Sequence, residues 1–226
     1  MGISSSYINN PDYQFLKFEN YASDVAHDTE GEEIVFSNMS SDYCVGIVDI
    51  INSTKISASL PDAKLATYYS VFLNSMSFIV RGFGAMVVKN IGDCLLYYFP
   101  DTSNSSRKYS FMKCLECCLA MVEAHSEINE KLKAEKIPSL NYRISVDFGR
   151  VTLAKASNSS VIDIFGAPVN MCSKINTSAA PNSVVIGGDL HNIVRNLPDY
   201  HFVPIHSCTI GLKLQYPVYA VRRRIS

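Results

Sequence analysis

The chain has 226 residues, 47% of them hydrophobic and 18% charged. That is enough apolar surface for a substantial core, and it excludes the disordered, collagen-like and fibrous classes. The formal net charge of -1 hides a division: residues 1–42 carry eight acidic groups against the single Lys17, a net -7, whereas the rest is +6, a surplus too small to argue for nucleic acid.

This composition shift predicts an acidic N-terminal extension over 1–42 and one domain over 43–226. In the extension, Asn10-Pro11-Asp12 reads as a helix start. Phe15, Phe18, Ala22 and Val25 follow at helical spacing, so an amphipathic helix is expected over 11–28, docked on the body, on a second subunit, or else mobile. Tyr43 to Ile50 reads as a buried strand, and Asn52-Ser53-Thr54 as helix-capping chemistry. Residues 62–82 form an amphipathic helix with Leu65, Tyr69, Phe72, Leu73, Met76, Ile79 and Val80 on its apolar face. Two apolar runs, 85–91 and 94–99, flank Gly92-Asp93, a hairpin signal. A long helix over 107–136, strands at 142–148 and 151–154, a helix at 167–178, a strand at 183–187, a short helix at 189–195 and strands at 200–206 and 216–223 complete the pattern. The order predicts an α+β fold of the ferredoxin-like or palm type: a βααββαβ core whose mainly antiparallel sheet is covered by helices on one face.

Apolar runs are broken well short of the roughly 18 residues needed to cross a bilayer, so no membrane span and a cytoplasmic location are expected. Seven cysteines lie mostly inside apolar periodic segments, as reduced core thiols would.

Two acids occupy special places. Asp49 is near the end of a buried strand and Asp93 is at a hairpin tip; neighbouring strands would bring the carboxylates together, which favours cations between them. Hard oxygen ligands suit a pair of Mg²⁺ or Mn²⁺ ions holding a polyphosphate. The backbone N–H groups of Asn52 to Lys55 begin a helix beside them. The plainer reading is a turn cap at Asp49 and an ordinary hairpin residue at Asp93.

Val48-Asp49-Ile50-Ile51-Asn52-Ser53-Thr54, Lys89-Asn90-Ile91-Gly92-Asp93, Tyr142-Arg143-Ile144-Ser145-Val146-Asp147-Phe148-Gly149 and Asp163-Ile164-Phe165-Gly166-Ala167-Pro168-Val169-Asn170 occur in the order of the class III nucleotidyl cyclase catalytic domain, which the chain resembles from about residue 43 onward. The resemblance implies a head-to-tail homodimer with active sites between subunits. It implies that Asp49, Asp93 and the Ile50 carbonyl hold two metal ions, and that Lys89 and Asp163 read the base. A lysine donor and an aspartate acceptor fit adenine, whose N1 accepts and N6 donates, so ATP is favoured. Guanine reverses both groups, and CTP stays open. Asn170 would orient the ribose for attack of its 3′-hydroxyl on the α-phosphate.

Two positions depart from the pattern. Lys174 stands where the family usually has an arginine that stabilises charge on the α-phosphate; it keeps the charge but loses the planar fork. Ile210 falls where many members carry a triphosphate-binding lysine, with Lys213 close enough to substitute. The expected activity is conversion of ATP to 3′,5′-cyclic AMP and pyrophosphate; the alternatives are another nucleotide substrate (GTP, CTP or UTP) or a silent nucleotide-binding partner domain. Gly187-Gly188-Asp189-Leu190 resembles the diguanylate cyclase signature but reads better with Asp189 as a helix N-cap. Cys114, Cys117 and Cys118 read as a core stripe rather than a metal or redox site, and Arg222-Arg223-Arg224 as a solvated tail.

Overall fold

Alternation in the Tyr43–Ile50 run decides the architecture. In the computed structural model, which describes residues 15–16, 34–156, 160–210 and 214–224, this run is the buried end of a long strand, β2 (Ile34–Ile50). Cys44, Val48 and Ile50 join one hydrophobic cluster; Tyr43, Val45 and Ile47 join another. A strand that is apolar on both sides needs cover on both sides.

Before β2 lies the two-residue strand β1 (Phe15–Leu16), antiparallel to β2 at Ser37 and Phe36. After it come α1 (Ser53–Ser57), α2 (Asp62–Gly82), β3 (Met86–Ile91), β4 (Cys94–Phe99), a 3₁₀ turn (Pro100–Ser103), α3 (Lys108–Glu123), α4 (His125–Ala134) and β5 (Tyr142–Ala156). β6 (Ile162–Phe165), α5 (Ala167–Asn176), β7 (Ser183–Gly187), α6 (Gly188–Val194), β8 (Tyr200–Ile210) and β9 (Leu214–Arg223) follow. The strands form one sheet in the order β3-β4-β2-β5-β7-β9-β8, with β1 on β2 and β6 on β5. Among the described residues only β5 and β7 pair in parallel. This is the expected α+β core.

Helices α2, α3, α4 and α6 cover the Val48 face through Phe72, Met76, Leu115, Ile128 and Leu190. The expectation of helices on a single face fails for α5, whose Cys172 packs with Val45, Leu153 and Ile164 on the opposite side. β6, unrecognised in the sequence, pairs with the distal part of β5, Thr152 opposite Phe165 and Lys155 opposite Ile162. Ile164 of β6 shares a core with Val88 and Tyr98, so the distal end of the sheet curls back over its own face.

Other boundaries differ for identifiable reasons. β2 starts at Ile34 rather than Tyr43, because its first half is mostly polar from Ser37 on, partly exposed and interrupted by a register shift between Phe36 and Ser40. β5 is continuous where two strands were expected. The 107–136 helix is two helices meeting at Ala124. The helix expected over 11–28 lies outside the described residues except at Phe15–Leu16, where the chain is a strand. On α2 the deepest residues are Tyr68, Phe72, Met76 and Val80, so the apolar face is rotated to take in Tyr68 rather than Tyr69. α6 is capped by Gly187, which leaves Asp189 in the first turn instead of at the cap.

Candidate functional site

Asp49 sits directly opposite Cys94 of β4 and Arg143 of β5. Two residues on from Ile47, it projects on the face that α5 and β6 share, whereas Ile50 points into the opposite core and is 3% exposed. Only the backbone carbonyl of Ile50 is therefore available to a site on that face. The β3–β4 turn requires a left-handed residue, supplied by Gly92 at φ 62°. Asp93 follows immediately and precedes Cys94, which brings it beside Asp49. The Asp49 carboxyl is pushed up to about 6 by burial and by the Asp93 charge, with Arg143 acting in the opposite direction. No hydrogen-bond donor reaches Asp49 among the described residues, so its charge is unbalanced except by that guanidinium. A divalent cation held by hard oxygens suits this pair, because it removes the like-charge repulsion and supplies the missing partner.

Two buried side-chain polar atoms have no hydrogen-bond partner among the described residues: the Arg143 Nε and the Tyr68 hydroxyl. Both feel the site, Arg143 through Asp49 and Tyr68 through Asp93. Sequence reasoning assigned neither. For Arg143 a signal was present, a cation alternating with Ile144 and Val146 inside a buried strand. For Tyr68 there was none, since an aromatic on a helix reads as core.

The β2–α1 turn carries Asn52 in the left-handed region at φ 58°, with no side-chain cap. Its carbonyl accepts from the N–H groups of Lys55 and Ile56 at 3.1 and 3.3 Å, so the N–H of Lys55 is occupied, and the capping expected of Asn52-Ser53-Thr54 is absent. Ser53 is half-buried, while Asn52 and Thr54 are exposed.

The second group forms because the sheet curls. A register shift between Val87 and Lys89 places Lys89 opposite Leu96, whose side chain lies in the α5-side core. From there Lys89 makes an ion pair with Asp163 of β6. The other Asp163 oxygen accepts from the N–H of Ile164 at 2.8 Å.

The third group rides on α5. A Cβ at Gly166 would lie 2.2 Å from the Arg150 carbonyl oxygen, so only glycine lets the chain cross β5 this closely before α5 begins at Ala167, with Pro168 in its first turn. Asn170 and Lys174, one turn apart, are exposed; Cys172, Ile175 and Asn176 are buried. Four bonds fix the buried face. Ser145 Oγ donates to the Cys172 carbonyl at 2.9 Å and Cys172 Sγ to the Val45 carbonyl at 3.0 Å. Asn176 Nδ2 donates to the Arg143 carbonyl at 3.3 Å and to Ser145 Oγ at 3.2 Å.

The structure thus brings together Asp49 with Asp93 and Lys89 with Asp163, and holds Asn170 with Lys174 on a helix of its own. Lys213 lies outside the described residues, and Ile210 ends β8 opposite Leu214. Cys114, Cys117 and Cys118 are fully buried in α3, and no cluster of three or more His, Cys, Asp or Glu suited to a metal occurs among the described residues. One further acid is buried away from these groups. Asp147, 1% exposed, accepts from the Tyr216 hydroxyl at 2.7 Å and from the N–H groups of Phe148 and Leu190 at 2.9 and 3.4 Å. Burial pushes it to about 6 despite those bonds.

No helix among the described residues is long and apolar enough to cross a membrane. The family model for the adenylate and guanylate cyclase catalytic domain matches residues 35–221. An adenylate cyclase of Streptomyces coelicolor is 27% identical over 144 residues, 63% of this chain and 31% of that protein. One from Streptomyces griseus is 25% identical over 64% of this chain and 30% of its own length. The chain therefore spans about a third of these relatives. Among solved structures, the adenylyl cyclase CyaB from P. aeruginosa superposes with a TM-score of 0.73 at 21% identity, covering 84% of this chain and 96% of that one. The guanylyl cyclase Cya2 also gives 0.73, at 16% identity over 81% and 92%. At these identities the superpositions speak for the fold.

Proposed function

The chain belongs to the adenylate and guanylate cyclase catalytic domain family, and on that premise we propose that it converts ATP to 3′,5′-cyclic AMP and pyrophosphate at sites shared between two copies of the chain. The observation that carries this reading is the pairing of Asp49 with Asp93, two neighbouring carboxylates opposed only in part by the Arg143 guanidinium, at the mouth of the face that also bears Lys89, Asp163 and α5. Asp49, Asp93 and the Ile50 carbonyl would hold two divalent ions, Mg²⁺ or Mn²⁺. When bound, these would neutralise the triphosphate and make the ribose 3′-hydroxyl a better nucleophile.

The remaining roles fall to the chain's own side chains. Arg143, next to Asp49 and with an unused Nε, offers a guanidinium to the outer phosphates. The backbone turn at Asn52, Ser53 and Thr54 borders the same space, and Lys213 is a further candidate for the triphosphate. Lys89 donates to adenine N1 and Asp163 accepts from N6. Asn170, held by the bonds that fix α5, orients the ribose for in-line attack, and Lys174 one turn on faces the charge that builds on the α-phosphate. In a head-to-tail pair, one subunit contributes Asp49, Asp93 and Arg143, and the other contributes Lys89, Asp163, Asn170 and Lys174.

Incubating the purified protein with each nucleoside triphosphate and Mn²⁺, and separating the products by chromatography, tests activity and base choice together. Cyclic AMP as the dominant product is expected. Cyclic GMP or cyclic CMP would redirect the substrate, and no product from any nucleotide would favour a silent partner domain, the reading that Lys174 and Ile210 support.

A further inference from the structure

Most buried hydroxyls in a folded chain have a hydrogen-bond partner, because leaving one without costs its full desolvation. Tyr68 breaks that rule. It is 0% exposed, packed among the core residues between α2 and the sheet, with an edge-on contact to Tyr69 at 5.4 Å between ring centroids. Its hydroxyl has neither donor nor acceptor among the described residues. A phenylalanine would give the same packing without that penalty, so the oxygen calls for a second explanation.

The place of α2 supplies one. The helix packs against β3 and β4, whose connecting turn carries Asp93, and the Asp93 charge acts on Tyr68. The other atom in the same condition, Arg143 Nε, flanks Asp49. Each of the two unpartnered polar atoms thus belongs to a side chain that feels one acid of the carboxylate pair, as expected of a site whose hydrogen bonding is completed only when it is loaded.

We propose that Tyr68 is a positioning residue for the cation-holding hairpin: its phenolic O–H donates to the Asp93 carboxylate when that carboxylate carries a divalent ion, fixing the orientation in which Asp93 presents its other oxygen. The proposal rests on the two-metal reading above. A carboxylate that serves a cation through one oxygen retains acceptor capacity on the other, and a neutral phenol fills it without competing for charge.

Tyr68→Phe removes one oxygen and keeps the ring. Mn²⁺ affinity is measured by electron paramagnetic resonance of the free ion, metal-free stability by thermal melting, and turnover as a function of Mn²⁺. The expected result is about a tenfold loss of Mn²⁺ affinity, in line with a hydrogen bond to a charged group. Metal-free melting should be unchanged or higher, and kcat at saturating Mn²⁺ should be retained. Equal Mn²⁺ affinity in variant and wild type overturns the proposal, as does a weakened affinity that comes with a lowered metal-free melting temperature, which would make Tyr68 a packing residue. Asp93→Ala is the control for the underlying reading. If the wild type binds no Mn²⁺, or Asp93→Ala binds it equally well, the metal site itself is wrong and the proposal falls with it; if Asp93→Ala abolishes binding while Tyr68→Phe does nothing, only the proposal falls.

Discussion

Asp49 at the end of β2 and Asp147 in the middle of β5 are both pushed up to about 6, chiefly by burial, yet they stand in opposite circumstances. Asp147 is enclosed and answered by three donors, one hydroxyl and two backbone N–H groups. Asp49 has a second carboxylate for a neighbour and no hydrogen-bond donor among the described residues. A raised carboxyl is therefore a poor marker of function by itself; the set of partners around it separates a group that ties the fold from one left open to a ligand, the role proposed for Asp49.

The comparison breaks most decisively through activity. Asp49→Ala and Asp93→Ala are each expected to lower metal-dependent turnover by at least about a hundredfold, with the circular dichroism of the wild type retained. Asp147→Ala should keep Mn²⁺ binding. Substantial turnover in either of the first two variants would remove the two-metal mechanism. Next comes subunit mixing: an Asp49→Ala chain combined with an Asn170→Ala chain should recover about a quarter of wild-type activity, since random pairing makes half the dimers mixed and each has one intact site. No recovery despite demonstrated exchange of subunits would argue against shared sites.

The stability effects are smaller. Asp147→Ala leaves the Tyr216 hydroxyl and two N–H groups without their acceptor, and urea unfolding should show a loss of about 1–3 kcal/mol. Asp49→Asn should act in the other direction. Both acids bind their proton more tightly in the folded than in the unfolded chain, so the metal-free fold loses stability as pH rises from the usual aspartate value of 3.8 to about 6. Removing the Asp49 charge should make the metal-free fold more stable at neutral pH, and wild-type Mn²⁺ affinity should weaken as pH falls through about 6. A flat pH profile of stability in the wild type would mean that neither acid is shifted.

Where one physical signal dominated, the sequence was readable. α2 runs over Asp62–Gly82 as its periodicity predicts, and the Gly92-Asp93 hairpin follows from a turn that few residues can make. The first half of β2 was hidden because it is mostly polar from Ser37 on and its register is broken; β6, because four residues with only Ile164 buried carry no period; and the break at Ala124, because the apolar stripe stays in phase through it. The site divides in the same way. Asp49, Asp93, Lys89, Asp163, Asn170 and Lys174 were named from short motifs. That Lys89 and Asp163 meet depends on the curl of the β5–β6 arm, and the condition of Tyr68 depends on what is missing around it; neither has a trace in local composition.

The Lys89–Asp163 ion pair bears on selectivity in a way that its strength alone would not suggest. The two side chains are 43% and 29% exposed, so the pair itself contributes little and gives way readily. A base entering between them, on the proposed reading, exchanges partners rather than finding vacant ones. Adenine returns an acceptor to the lysine and a donor to the aspartate, so both charges end as well served as they began. A ring with the opposite edge opens the pair and satisfies neither, leaving two stranded charges against its own dipoles. Discrimination of this kind arises from the penalty on the wrong guest, and it persists however weakly the right one is held.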